Sequence, residues 1–203
     1  MYRLLGDSQE KAKMGINKNI LRIAFATALL LLVPLVAMQF TDEVDWSIGD
    51  FVTMGALLFG TGLAYELVSR KAGNGAYRFA IGVALVAALL LVWVNLAVGI
   101  IGSEDNPANV MYAGVLYVLI IGTFIARLQP QGMARTLFAT ALAQAMVPVI
   151  ALIIWGPEVT SEEGSSDLLH ALGANVFFVM LFVGSALLFR RATVLVSNPQ
   201  ATA

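Results

Sequence analysis

Apolar residues run through this sequence in six long blocks, at about 20–40, 48–68, 79–101, 110–128, 133–155 and 168–189. Each is close to the roughly 20 residues a helix needs to cross the hydrocarbon of a bilayer. The polar connections between them alternate in kind. Segments 41–47, 102–109 and 156–167 are acidic, whereas 69–78 and 129–132 are short and basic or neutral. The pattern predicts an all-α polytopic integral membrane bundle of six transmembrane helices. A six-span membrane domain, 20–189, is flanked by an N-terminal segment, 1–19, and a C-terminal tail, 190–203.

The charges orient these spans. Arg3, Lys11, Lys13, Lys18 and Arg22 precede or open the first, and Arg70, Lys71 and Arg78 lie between the second and third. Arg127 and Arg135 bracket the next turn, and Arg190 and Arg191 follow the sixth. All 12 Lys and Arg residues therefore fall on one side of the membrane. The other side holds Asp42, Glu43, Asp45, Asp50, Glu104, Asp105, Glu158, Glu162, Glu163 and Asp167. Cytoplasmic loops carry the Lys and Arg excess, so both termini are expected in the cytoplasm, and the expected location is a bacterial inner membrane. The first block is longer than the apolar region of a signal peptide and is followed by no small-residue cleavage site, so it reads as a true span.

Composition narrows the function classes. Of the 203 residues, 59% are hydrophobic and 12% charged, against roughly 45–50% and about 25% in an average soluble domain. That excludes an ordinary soluble domain, a disordered chain and a nucleic-acid binder with a basic face. No cysteine is present, so disulfides and thiolate metal sites are excluded, and the lone histidine, His170, cannot build a bis-His haem site within one chain.

Local signals support the block boundaries. Ser47 with Asp50 forms a capping box for the second span. Asn106-Pro107 places a cap and a first-turn proline before the fourth, and Ser166 and Asp167 do the same for the sixth. Asn74-Gly75 and Pro130-Gln131-Gly132 read as turns on the basic side. Trp46, Tyr112 and Trp155 are expected as aromatic anchors at the acidic interface, and Tyr65 and Tyr77 at the basic one.

The spans also resemble one another. Arg22-Ile-Ala-Phe-Ala-Thr-Ala-Leu, with Val33-Pro34 and Ala37, aligns without a gap to Arg135-Thr-Leu-Phe-Ala-Thr-Ala-Leu, with Val147-Pro148 and Ala151, at an offset of 113 residues. The third span fits the same frame more weakly, Arg78 on Arg22 and Asn95 on Gln39. Among the even spans, Gly60-Thr61, Gly122-Thr123 and Gly184-Ser185 recur at an offset of 62. Three tandem helical hairpin repeats are expected, at about 20–68, 79–128 and 133–189. Mitochondrial carriers share that plan, but their Pro-x-acidic-x-x-basic signature is absent, and their function is not carried over.

Candidate chemistry is sparse. Gly60, Ala64, Gly122, Ala126 and Gly184 are candidate packing residues, since small side chains let helices approach closely in lipid. Pro34 and Pro148 are candidate kinks. Gln39, Asn95 and Gln144 can line a polar path or form interhelical hydrogen bonds. Glu66 is read as an interfacial partner of Arg70 at i+4, or alternatively as an intramembrane functional group. The Asn106-Pro107-Ala108 triplet is that of aquaporins, but a single copy in an acidic loop reads as a cap. The outer carboxylates could draw a divalent cation, although their spacing matches no calcium loop. No phosphate loop, zinc motif or nucleophile elbow is present, and no residue is assigned a catalytic, cofactor or metal role. The expected protein is not an enzyme. It is an accessory or structural membrane protein whose partners are the lipid bilayer and a second copy or another membrane protein, with no nucleic acid. The alternative is a small-solute transporter or channel built from three hairpins.

Overall fold

The computed structural model describes residues 2–103, 105–155 and 165–197, with side chains described over 18–103, 105–154 and 169–194. It is all-helical: α1 (Tyr2–Ala37), α2 (Ile48–Ser69), α3 (Gly75–Ala97), α4 (Met111–Ala126), α5 (Pro130–Trp155) and α6 (Ser165–Ser197), with a 3-10 turn at Pro107–Val110. Six helices are long and apolar enough to cross a membrane, so the chain has the character of an integral membrane protein. The chain divides into two units, Met1–Leu67 and Val68–Ala203.

In the first unit, α1 and α2 run antiparallel. The Asn19 side chain donates to Glu66 Oε1 at 2.6 Å. A Cβ on Gly62 would lie 2.6 Å from Ile23 Cγ2, and one on Gly55 would lie 3.4 Å from Leu31 Cδ1. The glycine at 62 is thus what admits the branched Ile23 side chain. The α2 start is the capping box expected from the sequence: Ser47 N donates to Asp50 Oδ2 at 2.7 Å, and Asp50 N donates back to Ser47 Oγ at 3.3 Å. Trp46 packs edge-on against Phe51, with ring centroids 5.3 Å apart. Leu21, Phe25 and Val33 are exposed, as suits side chains whose solvent is lipid.

The second unit is an up-and-down four-helix arrangement. α3 packs on α6, α6 on α5, and α5 on α4, while α3 and α4, consecutive in the chain, barely touch. α5 and α6 are therefore the inner pair, and α6 carries a buried stripe of Phe178, Phe182, Ala186, Phe189 and Ala192 at helical spacing. Tyr77 of α3 stacks edge-on against Phe189, centroids 5.0 Å apart, and Ser185 Oγ donates to the Ala80 carbonyl at 2.8 Å. α5 meets α4 through small residues. A Cβ on Gly132 would lie 2.8 Å from Ala126 Cβ, and one on Gly122 would collide with Thr136, whose Oγ1 is 2.8 Å away.

Several boundaries differ from the sequence reading, each for a local reason. Asn74-Gly75 is not a free turn. Asn74 caps α3, accepting from Tyr77 N at 2.8 Å and donating to the Ala192 carbonyl at 3.1 Å. Pro130 opens α5 rather than a turn, because its missing N–H is one the first helical turn does not need. The reversal is made instead by Arg127 and Leu128, which are left-handed at φ 49° and 61°. α3 stops at Ala97 rather than near residue 101, since Gly99 takes φ 73°. α6 continues past Arg190 and Arg191 to Ser197, where no glycine or proline intervenes. Tyr112 and Tyr77 are buried inside the unit, where each hydroxyl has a partner. Trp155, Ser166 and Asp167 lie outside the described side chains.

The α4–α5 contact supports a direct test. Gly122→Ala is expected to cost about 1–3 kcal/mol through overpacking. A second change, Thr136→Ala, should recover most of that loss, measured by unfolding of the detergent-solubilised protein. A double variant no more stable than Gly122→Ala alone would refute the assignment of the collision to Thr136.

Candidate functional site

The buried amide side chains of the second unit collect in two places. The first joins three helices. Asn175 of α6 donates to the Ala171 carbonyl at 2.8 Å and to Tyr112 Oη of α4 at 2.9 Å, and its Oδ1 accepts from Gln144 Nε2 of α5 at 3.0 Å. Tyr112, Gln144 and Asn175 are all at most 3% exposed. Burying such groups in a bilayer is costly unless they are bonded, and here each satisfies another. One atom is left over: Gln144 Oε1 has no hydrogen-bond partner. Pro148 stands four residues on and has no N–H, so the Gln144 backbone carbonyl also lacks its regular helical donor. The Gln144 turn thus concentrates acceptors in the interior.

The second cluster organises the loop between α3 and α4. Asn109, buried at the end of the 3-10 turn, accepts from Ile100 N at 3.1 Å and Ile101 N at 2.9 Å, and donates to the Ile101 carbonyl at 3.2 Å and the Ser103 carbonyl at 2.7 Å. One amide side chain therefore replaces a short stretch of secondary structure and allows Ile100 and Ile101 to be buried. The Asn95 side chain of α3 donates to the Asn109 carbonyl at 3.3 Å, while Asn95 Oδ1 is buried without a partner. Glycine is required at 99: besides its positive φ, a Cβ there would lie 2.5 Å from the Ser103 carbonyl oxygen. Asn106 accepts from Ala108 N at 3.0 Å, the capping role read from the sequence.

The other residues singled out from the sequence sit as follows. Gln39 is exposed in the turn after α1. Glu66 is half-buried on Asn19. Gly122 and Ala126 form the close contact with α5, whereas no atom lies within 4 Å of a Cβ built on Gly60 or Gly184. Ala64 is half-buried in α2. Pro34 lies in the last turn of α1 and Pro148 within α5. The structure brings Gln144 to Asn175 and Asn95 to Asn109, partners that sequence reasoning missed. Asn175 had a visible signal, an amide inside an apolar block, whereas Asn109 sits where any loop polar residue is unremarkable.

Between α3 and α4, where packing is loosest, lies a cleft of about 80 Å³ lined by Val68, Ile81, Ala84, Leu85, Leu119, Thr123, Leu128 and Met133. Its one hydroxyl, Thr123 Oγ1, already donates to the Leu119 carbonyl at 2.7 Å. The Tyr77 hydroxyl donates to the Leu128 carbonyl, tying α3 to the left-handed turn beside the cleft. Among the described residues, no group of three or more His, Cys, Asp or Glu comes together. Compared with known protein families, with curated proteins and with solved structures, the chain matches none.

Proposed function

We propose that this is an accessory or structural membrane protein, which holds lipid or other membrane proteins and neither transports a solute nor catalyses a reaction. The observation carrying this reading is the use made of the buried amides. Gln144 bonds across helices to Asn175, and Asn95 ties α3 to its own following loop at the Asn109 carbonyl. Interhelical bonds of this kind contribute about 0.6–2 kcal/mol each to a membrane bundle. The segregation of all 12 cations to one end of the spans supports an inner-membrane topology with both termini cytoplasmic. The match of the first and fifth spans supports an ancestry in three tandem hairpins.

The alternative, a small-solute transporter or channel, has one specific observation behind it: the buried, partnerless Gln144 Oε1. Flux into proteoliposomes decides between the two readings. Vesicles carrying the full-length protein are expected to be as tight to ions and small neutral solutes as empty vesicles. Uptake of any solute that Gln144→Leu abolishes would overturn the accessory reading in favour of transport.

A further inference from the structure

The cleft between α3 and α4 is apolar but for Thr123, and it lies beside cations that the accessory reading does not by itself explain. It lies in the first half of α3 and the last half of α4, toward the end of the unit that carries Arg70, Lys71, Arg78, Arg127, Arg135, Arg190 and Arg191. Both of its walls end in a cation. On α3, Arg78, Ile81 and Leu85 follow the i, i+3, i+7 spacing of one helical stripe. On α4, Leu119 and Thr123 follow a spacing of four residues, and Arg127 caps the helix immediately before Leu128, which also lines the cleft. Arg78 and Arg127 are exposed, while Ile81, Ala84 and Met133 of the cleft lining are buried. The floor is fixed: Arg127 and Leu128 adopt the left-handed region, unfavourable for residues other than glycine, and the Tyr77 hydroxyl holds the Leu128 carbonyl there. With Thr123 bonded to its own helix, the walls offer an occupant only apolar surface, while Arg78, one turn before Ile81, and Arg127, next to Leu128, set positive charge beside it.

We propose that this cleft is a binding site for one anionic phospholipid, with a stretch of acyl chain between α3 and α4 and the headgroup phosphate against Arg78 and Arg127. The assignment rests on the accessory reading and names its ligand class. Charge complementarity selects the occupant. A transmembrane helix of a partner would need no cations at the foot of both walls, whereas basic pockets between spans are a recognised setting for acidic headgroups. Each Lys or Arg near an anionic headgroup contributes about fivefold to binding, so the pair sets a preference on the order of 25-fold over a zwitterionic lipid of the same chains.

The full-length protein, delipidated in mild detergent, is titrated with an equimolar mixture of phosphatidylglycerol and phosphatidylcholine of identical chains, and retained lipid is read by native mass spectrometry. Phosphatidylglycerol should be retained preferentially. The double variant Arg78→Gln/Arg127→Gln should lose that preference, whereas Arg190→Gln/Arg191→Gln, which removes the same charge from within α6 at the same end of the unit, should keep it. Leu85→Trp, which fills the cleft from a half-buried position, should reduce retention of both lipids. Equal retention of the two lipids by the unmodified protein overturns the proposal, as does an equal loss in the two double variants, which marks diffuse attraction to the basic end. Unchanged retention in Leu85→Trp overturns the placement in the cleft. Solute flux is a separate readout: vesicles that stay tight while lipid preference is absent remove the lipid site and leave the accessory reading standing.

Discussion

Asn109→Leu is expected to be among the most damaging single substitutions in the protein, costing about 4 kcal/mol. The side chain meets four backbone groups of the 100–103 segment, two N–H donors and two carbonyls, at 2.7–3.2 Å. Leucine leaves all four unpaired, and an unsatisfied buried polar group costs about 1–3 kcal/mol. The sum stays at the low end of four times that figure because loop groups recover water when the loop opens. A sharper test is Asn109→Asp, which is nearly isosteric. It keeps both bonds from the Ile100 and Ile101 N–H groups but sets a carboxylate oxygen against the Ile101 and Ser103 carbonyls. About 2–3 kcal/mol should be lost, with the acidic-end loop cleaved faster by protease. Asn106→Ala, which removes one cap bond, should cost only about 1 kcal/mol. Equilibrium unfolding in detergent ranks the three variants. An Asn109→Asp protein as stable as the unmodified one would show that the amide's donors do not hold the loop.

Asn175→Leu should rank beside it, at about 3 kcal/mol. The change removes the one side chain that Tyr112 and Gln144 share and leaves a phenol hydroxyl and an amide NH2 buried in an apolar interior. Gln144→Leu should cost less than about 1 kcal/mol. Gln144 contributes a single bond, and its Oε1 is partnerless already, so leucine relieves one unsatisfied acceptor while giving up one donor. Replacing Gln144 and Asn175 together with leucine, alongside Tyr112→Phe, should recover much of the loss, since removing all partners of a buried polar cluster is far milder than removing one. Should Asn175→Leu prove no worse than Gln144→Leu, Asn175 is not the shared residue of the cluster.

How much of this was legible in the sequence depends on the range of the interaction involved. The six spans follow from apolar runs alone, and the caps at Ser47 with Asp50 and at Asn106 follow from contacts within three residues. Those local readings carry over directly into the structure. Asn74 and Pro130 show the next level of difficulty. Both are turn-forming residues, yet each opens a helix, because the same residue types suit the loop and the first helical turn. Tertiary partners lay beyond the reading altogether. Tyr112 has the composition and depth of an interfacial anchor, and only the position of Asn175, 63 residues away, makes it a buried donor. In lipid both faces of a helix are apolar, so hydrophobic periodicity, which points a soluble helix toward its core, carries little information about which face meets which neighbour. The looseness between α3 and α4 was hidden for the same reason, since adjacency in the chain suggested adjacency in space.

That order of neighbours bears on biosynthesis. α3 leaves the ribosome first in the second unit, and its main packing partner, α6, follows only after α4 and α5. Tyr77 cannot meet Phe189, nor the Ala80 carbonyl receive Ser185, until the sixth span has been inserted. Until then α3 waits in the bilayer, tied to α4 chiefly by the loop that Asn109 folds. A chain stalled or truncated after α5 would therefore present an unpaired α3 surface to whatever membrane chaperone or protease surveys it. Insertion of α6 is therefore the step that completes the packing of the second unit.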